Sequence, residues 1–186
     1  MRILTTNNIV IKRLTQHDLG RVKEIDRSEE IEAIYQFTCG ELIRRPMPHH
    51  SPTFSDEMWE EMMVGWREGL ADEGTLFGAL DDGRLAAFII LRPRLEETMA
   101  QLMALYVSRP YRRMGLAQRL FDALQAEAII SGATALYVSA TWTDSAVGFY
   151  MKQGFRPTER PHPKLFALEP DDIHMIKQLK GEMVHG

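Results

Sequence analysis

One stretch constrains the fold of this 186-residue chain more than any other. An apolar strand pattern over residues 101–107 runs through Ser108-Arg109-Pro110-Tyr111-Arg112-Arg113-Met114-Gly115 directly into a helix. In that helix, from Arg113 to about Ser131, Leu116, Ala117, Leu120, Phe121, Leu124 and Ala128 form an apolar stripe at helical spacing. Gly132 stops it. Strand, arginine-bearing loop and amphipathic helix in that order imply a sheet with helices packed against it.

The rest of the chain extends this pattern. Residues 9–14 predict a first strand. A helix is expected over residues 16–27, on the spacing of Leu19, Val22, Lys23 and Ile25, and a second over 29–37. Pro46, Pro48 and Pro52 mark residues 45–52 as a loop, because proline breaks both helix and sheet. Ser55-Asp56-Glu57-Met58 opens a helix in capping-box fashion, running towards Leu70. Two apolar runs, 75–80 and 85–91, flank the turn Asp81-Asp82-Gly83-Arg84 and predict a hairpin. A strand at 135–139, a short helix at 145–153 stopped by Gly154, and strands near 155–158 and 173–179 complete the order β-α-α-β-β-β-α-β-α-β-β. No repeat, low-complexity tract or linker interrupts it, so a single domain over residues 1–186 is expected.

Composition removes several classes of function. The net charge is −4, so no global positive field favours nucleic acid or an anionic membrane. No apolar run reaches the roughly 18 residues of a membrane span, and the opening residues 1–8 lack the apolar core of a signal peptide. Cys39 is the only cysteine, which excludes an intramolecular disulfide and a cysteine metal cage; it reads as a small core residue. A cytosolic protein is expected. No metal is expected either, because His49-His50 lie in the proline loop without further ligands at defined spacing.

The loop before the long helix carries the chemistry. The first amides of a helix lack intrahelical acceptors and point outward at the positive end of the dipole, where phosphate binds readily. Gly115 has no Cβ and lets a pyrophosphate approach the backbone. Arg109, Arg112, Arg113 and Arg119 concentrate positive charge there in an otherwise acidic chain. Neither G-x-x-x-x-G-K-[S/T] nor G-x-G-x-x-G is present, so this is neither a P-loop nor a dinucleotide fingerprint. On these grounds alone, a solvated helix start and a phosphate site remain equal readings.

A resemblance separates them. Arg112-Arg113-Met114-Gly115-Leu116-Ala117 matches the [Q/R]-x-x-G-x-[G/A] signature of the GNAT superfamily of N-acetyltransferases. A second block, Tyr137-Val138-Ser139 followed by Ala146-Val147-Gly148-Phe149-Tyr150-Met151-Lys152-Gln153-Gly154-Phe155, resembles that family's strand and its A-x-x-F-Y-x-x-x-G-F helix. The resemblance implies a mixed α/β (α+β) fold, with a mostly antiparallel sheet of about seven strands flanked by about four helices. It implies acetyl-CoA as co-substrate, no metal, and a primary amine of a small molecule or protein as acceptor. A homodimer stays open. Backbone groups of Leu105 and Val107 would pair with pantetheine, and those of Arg112, Arg113, Met114, Gly115, Leu116 and Ala117 would cradle the pyrophosphate. Phe149 belongs to the same cofactor wall. Thr143, with Ser145 beside it, stands where the family often has a cofactor-contacting asparagine, and either hydroxyl can replace it.

By the same resemblance Tyr150 is the general acid for the departing thiolate. Gln101 falls where several members carry a glutamate base, and glutamine cannot accept the proton. Glu97, four residues earlier, would have to act through water, or no residue acts as base. Glu30, Glu32, Tyr35, Glu41 and Trp59 are candidates for lining the acceptor site. A non-catalytic acyl-CoA sensor on the same fold is the alternative function.

Overall fold

The computed structural model describes residues 9–179; the opening residues 1–8, read above for a leader, lie outside them. Seven strands form one sheet in the order β1-β4-β5-β6-β7-β9-β8. They are β1 (Ile9–Leu14), β4 (Thr75–Asp81), β5 (Arg84–Glu96), β6 (Met99–Val107), β7 (Ala135–Ala140), β8 (Arg156–Pro157) and β9 (Ile173–Gln178). All neighbours are antiparallel except β6 and β7. The expected seven-stranded, mostly antiparallel α/β sheet is therefore the observed one.

Helices cover both faces. On one face α2 (Leu116–Ile130) and α3 (Asp144–Lys152) pack Leu116, Leu120, Phe121, Leu124 and Val147 onto Ala87, Ile89 and Leu91 of β5. On the other, α1 (Asp56–Ala71) packs Trp59, Met63 and Trp66 onto Phe88 and Ile90. The alternation along β5 sends side chains to two apolar layers, which is why its sequence is an unbroken apolar run. Ser55 caps α1 by accepting a hydrogen bond from the Met58 amide, as its sequence implied.

Four expectations for the first half are corrected. Residues 16–24 form a 3-10 helix (Gln16–Glu24), shorter than the expected helix, and the buried Leu19, Val22 and Ile25 recur every three residues to match its period. Residues 29–37, expected to be helical, belong to a strand, β2 (Glu29–Thr38). The expected loop 45–52 falls largely within its partner β3 (Glu41–Ser51). The hairpin is a separate two-stranded sheet, so its prolines sit where no second neighbour needs their missing N–H. Between the pairs Ile31↔His49 and Ala33↔Pro46 the register shifts, and this bulge takes up Met47 and Pro48. Its two-residue turn, Cys39 and Gly40, has positive φ at both positions (52° and 78°), the backbone a tight hairpin needs. Cys39 is thus an exposed turn residue and not the core residue expected. A short helix absent from the sequence reading, α4 (Pro163–Leu168), precedes β9.

The hairpin is fastened to the main sheet. The Tyr35 amide donates to the Trp142 carbonyl at 2.7 Å, and Ile34 bridges Thr143 between β7 and α3. Ile31 and Ala33 are buried.

Two glycines near α1 should respond oppositely to alanine. A Cβ at Gly74 would meet the Gly69 carbonyl and lie 2.8 Å from the Leu70 Cα, both backbone atoms that cannot rotate away. At Gly65, exposed on α1, nothing lies within 4 Å. Gly74→Ala is expected to cost roughly 1–3 kcal/mol, and Gly65→Ala to gain about 0.5–1 kcal/mol. Urea midpoints at unchanged m-value check both.

Candidate active site

The site originates in a divergence of two strands. β6 and β7 pair in parallel at Met99↔Ala135, Ala100↔Leu136 and Gln101↔Tyr137 and at no later position. Beyond these pairs β6 stays with β5, ending at Ala87↔Val107, while β7 stays with β9, ending at Ala140↔Ile173. The β5–β6 register shifts between Ile90↔Ala104 and Leu91↔Leu102, which makes Met103 a bulge where β6 bends away. From Leu102 to Val107 the β7-facing edge of β6 therefore has no ladder partner. A cavity of about 790 Å³ opens along it.

At one end the loop after β6 turns its backbone towards the cavity. Arg109–Tyr111 form a single 3-10 turn, Arg113 takes φ 61°, and Gly115 takes φ 77° as N-cap of α2. A Cβ on Gly115 would meet nothing within 4 Å. The first intrahelical bond runs from the Arg119 amide to the Gly115 carbonyl, so the amides of Leu116, Ala117 and Gln118 precede the helical ladder. All three residues line the cavity, with Arg112, Arg113 and Gly115.

The loop is held rigidly. Ser108 donates its amide to the Ala86 carbonyl at 2.9 Å, and the buried Tyr111 hydroxyl donates to Asp81 Oδ2 at 2.9 Å. Arg112 spends much of its guanidinium on carbonyls, with Nε to Val107 at 3.2 Å and an Nη to Arg27 at 2.9 Å. Its role thus includes shaping the loop as well as supplying charge. Arg119 donates to the Ile9 carbonyl and Arg109 to Ser28, and neither lines the cavity. The cationic side chains that line the cavity are instead those of Arg27, Arg112, Arg113 and Lys152. Arg27 lies 4.2 Å over the Phe54 ring.

The second wall comes from β7 and α3. Thr143 caps α3 by accepting from the Ala146 amide at 3.4 Å, and its hydroxyl lies 3.2 Å from that of Ser145. Both hydroxyls border the cavity, as do Phe149, held edge-on to Phe121, and Tyr150. Leu105, Val107, Leu116 and Ala117 line it also; Met114 does not, and packs against the apolar core.

Two phenols share the cavity with two carboxylates that the sequence reading missed, an exposed Glu169 and a half-buried Asp172. Tyr106, Tyr150, Glu169 and Asp172 all line it. Burial pushes the Tyr106 phenol up to about 12. Tyr150 rises too, through burial first and then the charges of Tyr106 and Asp172. Burial also raises Glu169, against the opposing effect of a hydrogen bond from Ser139. Asp172 is pushed up to about 7 by burial, then by Glu169 and Asp171. Nothing in the sequence identified this pair, because it lies just before β9, 19 or more residues beyond Tyr150, and only the fold returns it to β6.

The other sequence candidates lie elsewhere. Glu97 is exposed in the turn between β5 and β6, outside the strand and the cavity. It shares no strand face with Gln101, since β6 starts only at Met99. Gln101 is buried at the last β6–β7 pair, and its Oε1 has no hydrogen-bond partner among the described residues. Trp59 packs in the core against Phe54, Trp66 and Tyr106, outside both large cavities. Glu30 bonds His50 at 2.7 Å on the outer hairpin, and Glu32 and Glu41 are exposed there. Tyr35 lines a second cavity beside the first. Among the described residues no group of three or more His, Cys, Asp or Glu is placed to hold a metal ion, and no helix is long and apolar enough to cross a membrane.

This arrangement has known counterparts. The model of the acetyltransferase (GNAT) family matches residues 33–155, well over half of the sequence, and the chain belongs to that family. No curated protein sequence matches it. Among solved structures it is similar to a nourseothricin acetyltransferase, at TM-score 0.72 and 17% identity over 94% of this chain and 100% of the other. A candidate streptothricin acetyltransferase from Bacillus anthracis strain Ames, solved with acetyl coenzyme A, gives TM-score 0.70 at 19% identity over 92% and 99%. The ribosomal-protein-S18-alanine N-acetyltransferase of Escherichia coli gives 0.58 at 19% over 96% and 99%. At these identities the likeness is one of fold.

The position of Glu97 yields a prediction. A dedicated general base contributes about 10²-fold or more. Glu97→Gln should therefore keep at least about a tenth of wild-type kcat/KM with any amine the protein acetylates, measured as coenzyme A release.

Proposed function

We propose that the chain, acting as one domain, binds acetyl-CoA in the cavity between β6 and β7 and transfers its acetyl group to a primary amine by direct attack in a ternary complex. The observation that carries this reading is the continuity of the cavity. It runs from the exposed amides at the start of α2, along the unpaired edge of β6, to the buried phenol of Tyr150. Pyrophosphate suits the first end, where amides, the positive end of the α2 dipole and the arginines of the loop, Arg112 and Arg113, meet. A pantetheine arm suits the edge, because its amides can complete the ladder that β7 abandons.

The assignment of roles follows. Backbone groups of Leu105 and Val107 hold pantetheine, residues 112–117 cradle the pyrophosphate, and Thr143, Ser145 and Phe149 form the facing wall. Met114 contributes through its backbone alone, since its side chain packs in the core. A thioester is already activated, so the protein has chiefly to orient an uncharged amine against the carbonyl. Amide donors along β6 polarise that carbonyl. Tyr150 stays protonated throughout the working pH range, so it can donate but cannot serve as base. Its raised pKa makes it a reluctant acid on its own; the cationic nitrogen of the tetrahedral adduct offsets this by favouring the phenolate.

Binding tests the cofactor half. At φ 77° a non-glycine residue is strained, and a glutamate at 115 would add negative charge where the phosphates sit. Gly115→Glu is expected to weaken acetyl-CoA about tenfold or more, equivalent to about 1.4 kcal/mol; equal calorimetric affinities would remove the phosphate site from residues 112–117.

Turnover tests the acid. Tyr150→Phe should lower kcat roughly 10- to 10²-fold, the low end of general acid catalysis because a thiolate leaves fairly readily. Acetyl-CoA affinity should change little. Unchanged kcat where chemistry limits the rate would leave Tyr150 a packing residue.

A further inference from the structure

A second cavity, of about 900 Å³, lies between the β2–β3 hairpin, the loop joining β7 to α3, and the segments flanking α4. Its walls include the rings of Tyr35, Phe37 and Trp142, and it carries three carboxylates, Glu159, Asp171 and Asp172. No lysine or arginine is among its lining residues, in contrast to the arginine-bearing cofactor cavity. Asp172 is the one residue that lines both cavities. In the first cavity it shares the lining with Tyr106 and with Tyr150, the phenol proposed as the acid, and its charge raises the pKa of both.

Each feature selects for ligand chemistry. Aromatic faces attract cations and cover apolar surface. Carboxylates without cationic neighbours favour an ammonium and repel a carboxylate carried beside it. An acceptor lying in this cavity would bring its nitrogen to the junction with the first, where a thioester held along β6 ends.

We infer that this second cavity receives the acceptor, a primary ammonium on an apolar or aromatic body with no carboxylate beside the amine, and that Asp172 takes its proton at the junction. The inference rests on the acetyl transfer proposed above. In the balanced sequence the ammonium gives one proton to the Asp172 carboxylate, which later releases it to water. The free amine attacks the thioester carbonyl, so that a C–N bond forms and the C–S bond then breaks. Tyr150 donates its phenolic proton to the departing sulfur, and one of the two protons on the cationic adduct nitrogen restores the phenol while the other stays as the amide N–H. The products are the amide, coenzyme A as its thiol, and one proton in water.

The surroundings of Asp172 suit this task. Burial, Glu169 and Asp171 all raise its pKa, to about 7, and the phenols of Tyr106 and Tyr150 lie near it. His174 and Glu159 line the same second cavity. Burial lowers the pKa of His174 against the opposing hydrogen bond from its Nε2 to the Glu169 carbonyl at 3.0 Å. A base with a pKa near the working pH is the effective one.

The test uses the full chain, acetyl-CoA, and a panel of 2-phenylethylamine, hexylamine and phenylalanine. The two amines should be acetylated, with phenylalanine at least about tenfold lower in kcat/KM. For the preferred amine, wild-type kcat/KM should rise through about pH 7 and fall at the amine's own pKa. Asp172→Asn should lower it about 10²-fold or more and replace that limb with one following the free-amine fraction. Glu169→Gln should keep the limb and move it to lower pH, since it removes a negative neighbour.

Folding is checked separately. The folded pKa of Asp172 lies above its unfolded value of about 3.9, so its ionised form works against the fold. The stability cost grows as pH rises from that unfolded value to about 7 and is constant above it. Asp172→Asn should therefore melt higher than wild type above pH 7. The inference is overturned if phenylalanine matches 2-phenylethylamine, if Asp172→Asn stays within threefold of wild type, or if acetyl-CoA binds but no amine of the panel reacts. Failure of wild type to bind acetyl-CoA would instead bring down the acetyl-transfer reading, and this inference with it.

Discussion

Everything functional in this molecule depends on two parallel strands that part company after three residue pairs. Backbone amides and carbonyls buried without partners are costly, so a strand edge released inside a sheet needs another group to satisfy it. β6 and β7 separate because each is committed to an antiparallel neighbour on its far side, and the bulge at Met103 bends β6 outward. The result is a slot through the middle of the sheet with hydrogen-bonding groups along one side. Two apolar layers, built on α2 and α1, keep the sheet from closing across it.

The slot is electrically uneven. Cationic side chains and helix-start amides gather where the backbone enters α2, while Glu169 and Asp172 lie with the phenols of Tyr106 and Tyr150. Such a gradient orients a long ligand that is anionic at one end and uncharged at the other. In the proposed reaction it also separates two tasks: binding phosphate needs fixed positive charge, whereas accepting a proton from an ammonium needs a carboxylate whose charge is incompletely solvated. The β2–β3 hairpin adds a third element. Pinned to the β7–α3 loop by Tyr35 and Ile34, it closes an acidic, aromatic cavity beside the slot, and Asp172 joins the two.

Legibility in the sequence followed the range of the interactions. The α2 stripe, the β4–β5 turn, the Ser55 cap and the arginine-bearing loop that enters α2 all depend on neighbours within a few residues, and each was readable. The hairpin was misread although Ile31, Ala33, Tyr35 and Phe37 alternate, because glutamates and alanine also suit a helix and the prolines of β3 suggested a loop. The outer edge of β3 tolerates those prolines, but that tolerance exists only once β3 is known to pair with β2 alone. The three-residue spacing of Leu19, Val22 and Ile25 was visible, yet it reads as 3-10 geometry only against the core it contacts.

The sequence by itself determined the sheet-and-helix order of most of the chain, the amide-rich turn at Gly115 and the phenol at Tyr150, because glycine backbone freedom, helical spacing and local capping are short-range properties. Tertiary structure alone decided which acids share the site. Glu97 stood near β6 in the sequence but lies in the exposed β5–β6 turn, while Asp172, far along the chain, is returned to the slot by the pairing of β9 with β7. The reason is physical: a carboxylate acquires an altered proton affinity from burial and from like charges beside it, and both are set by packing between segments that sequence spacing does not relate.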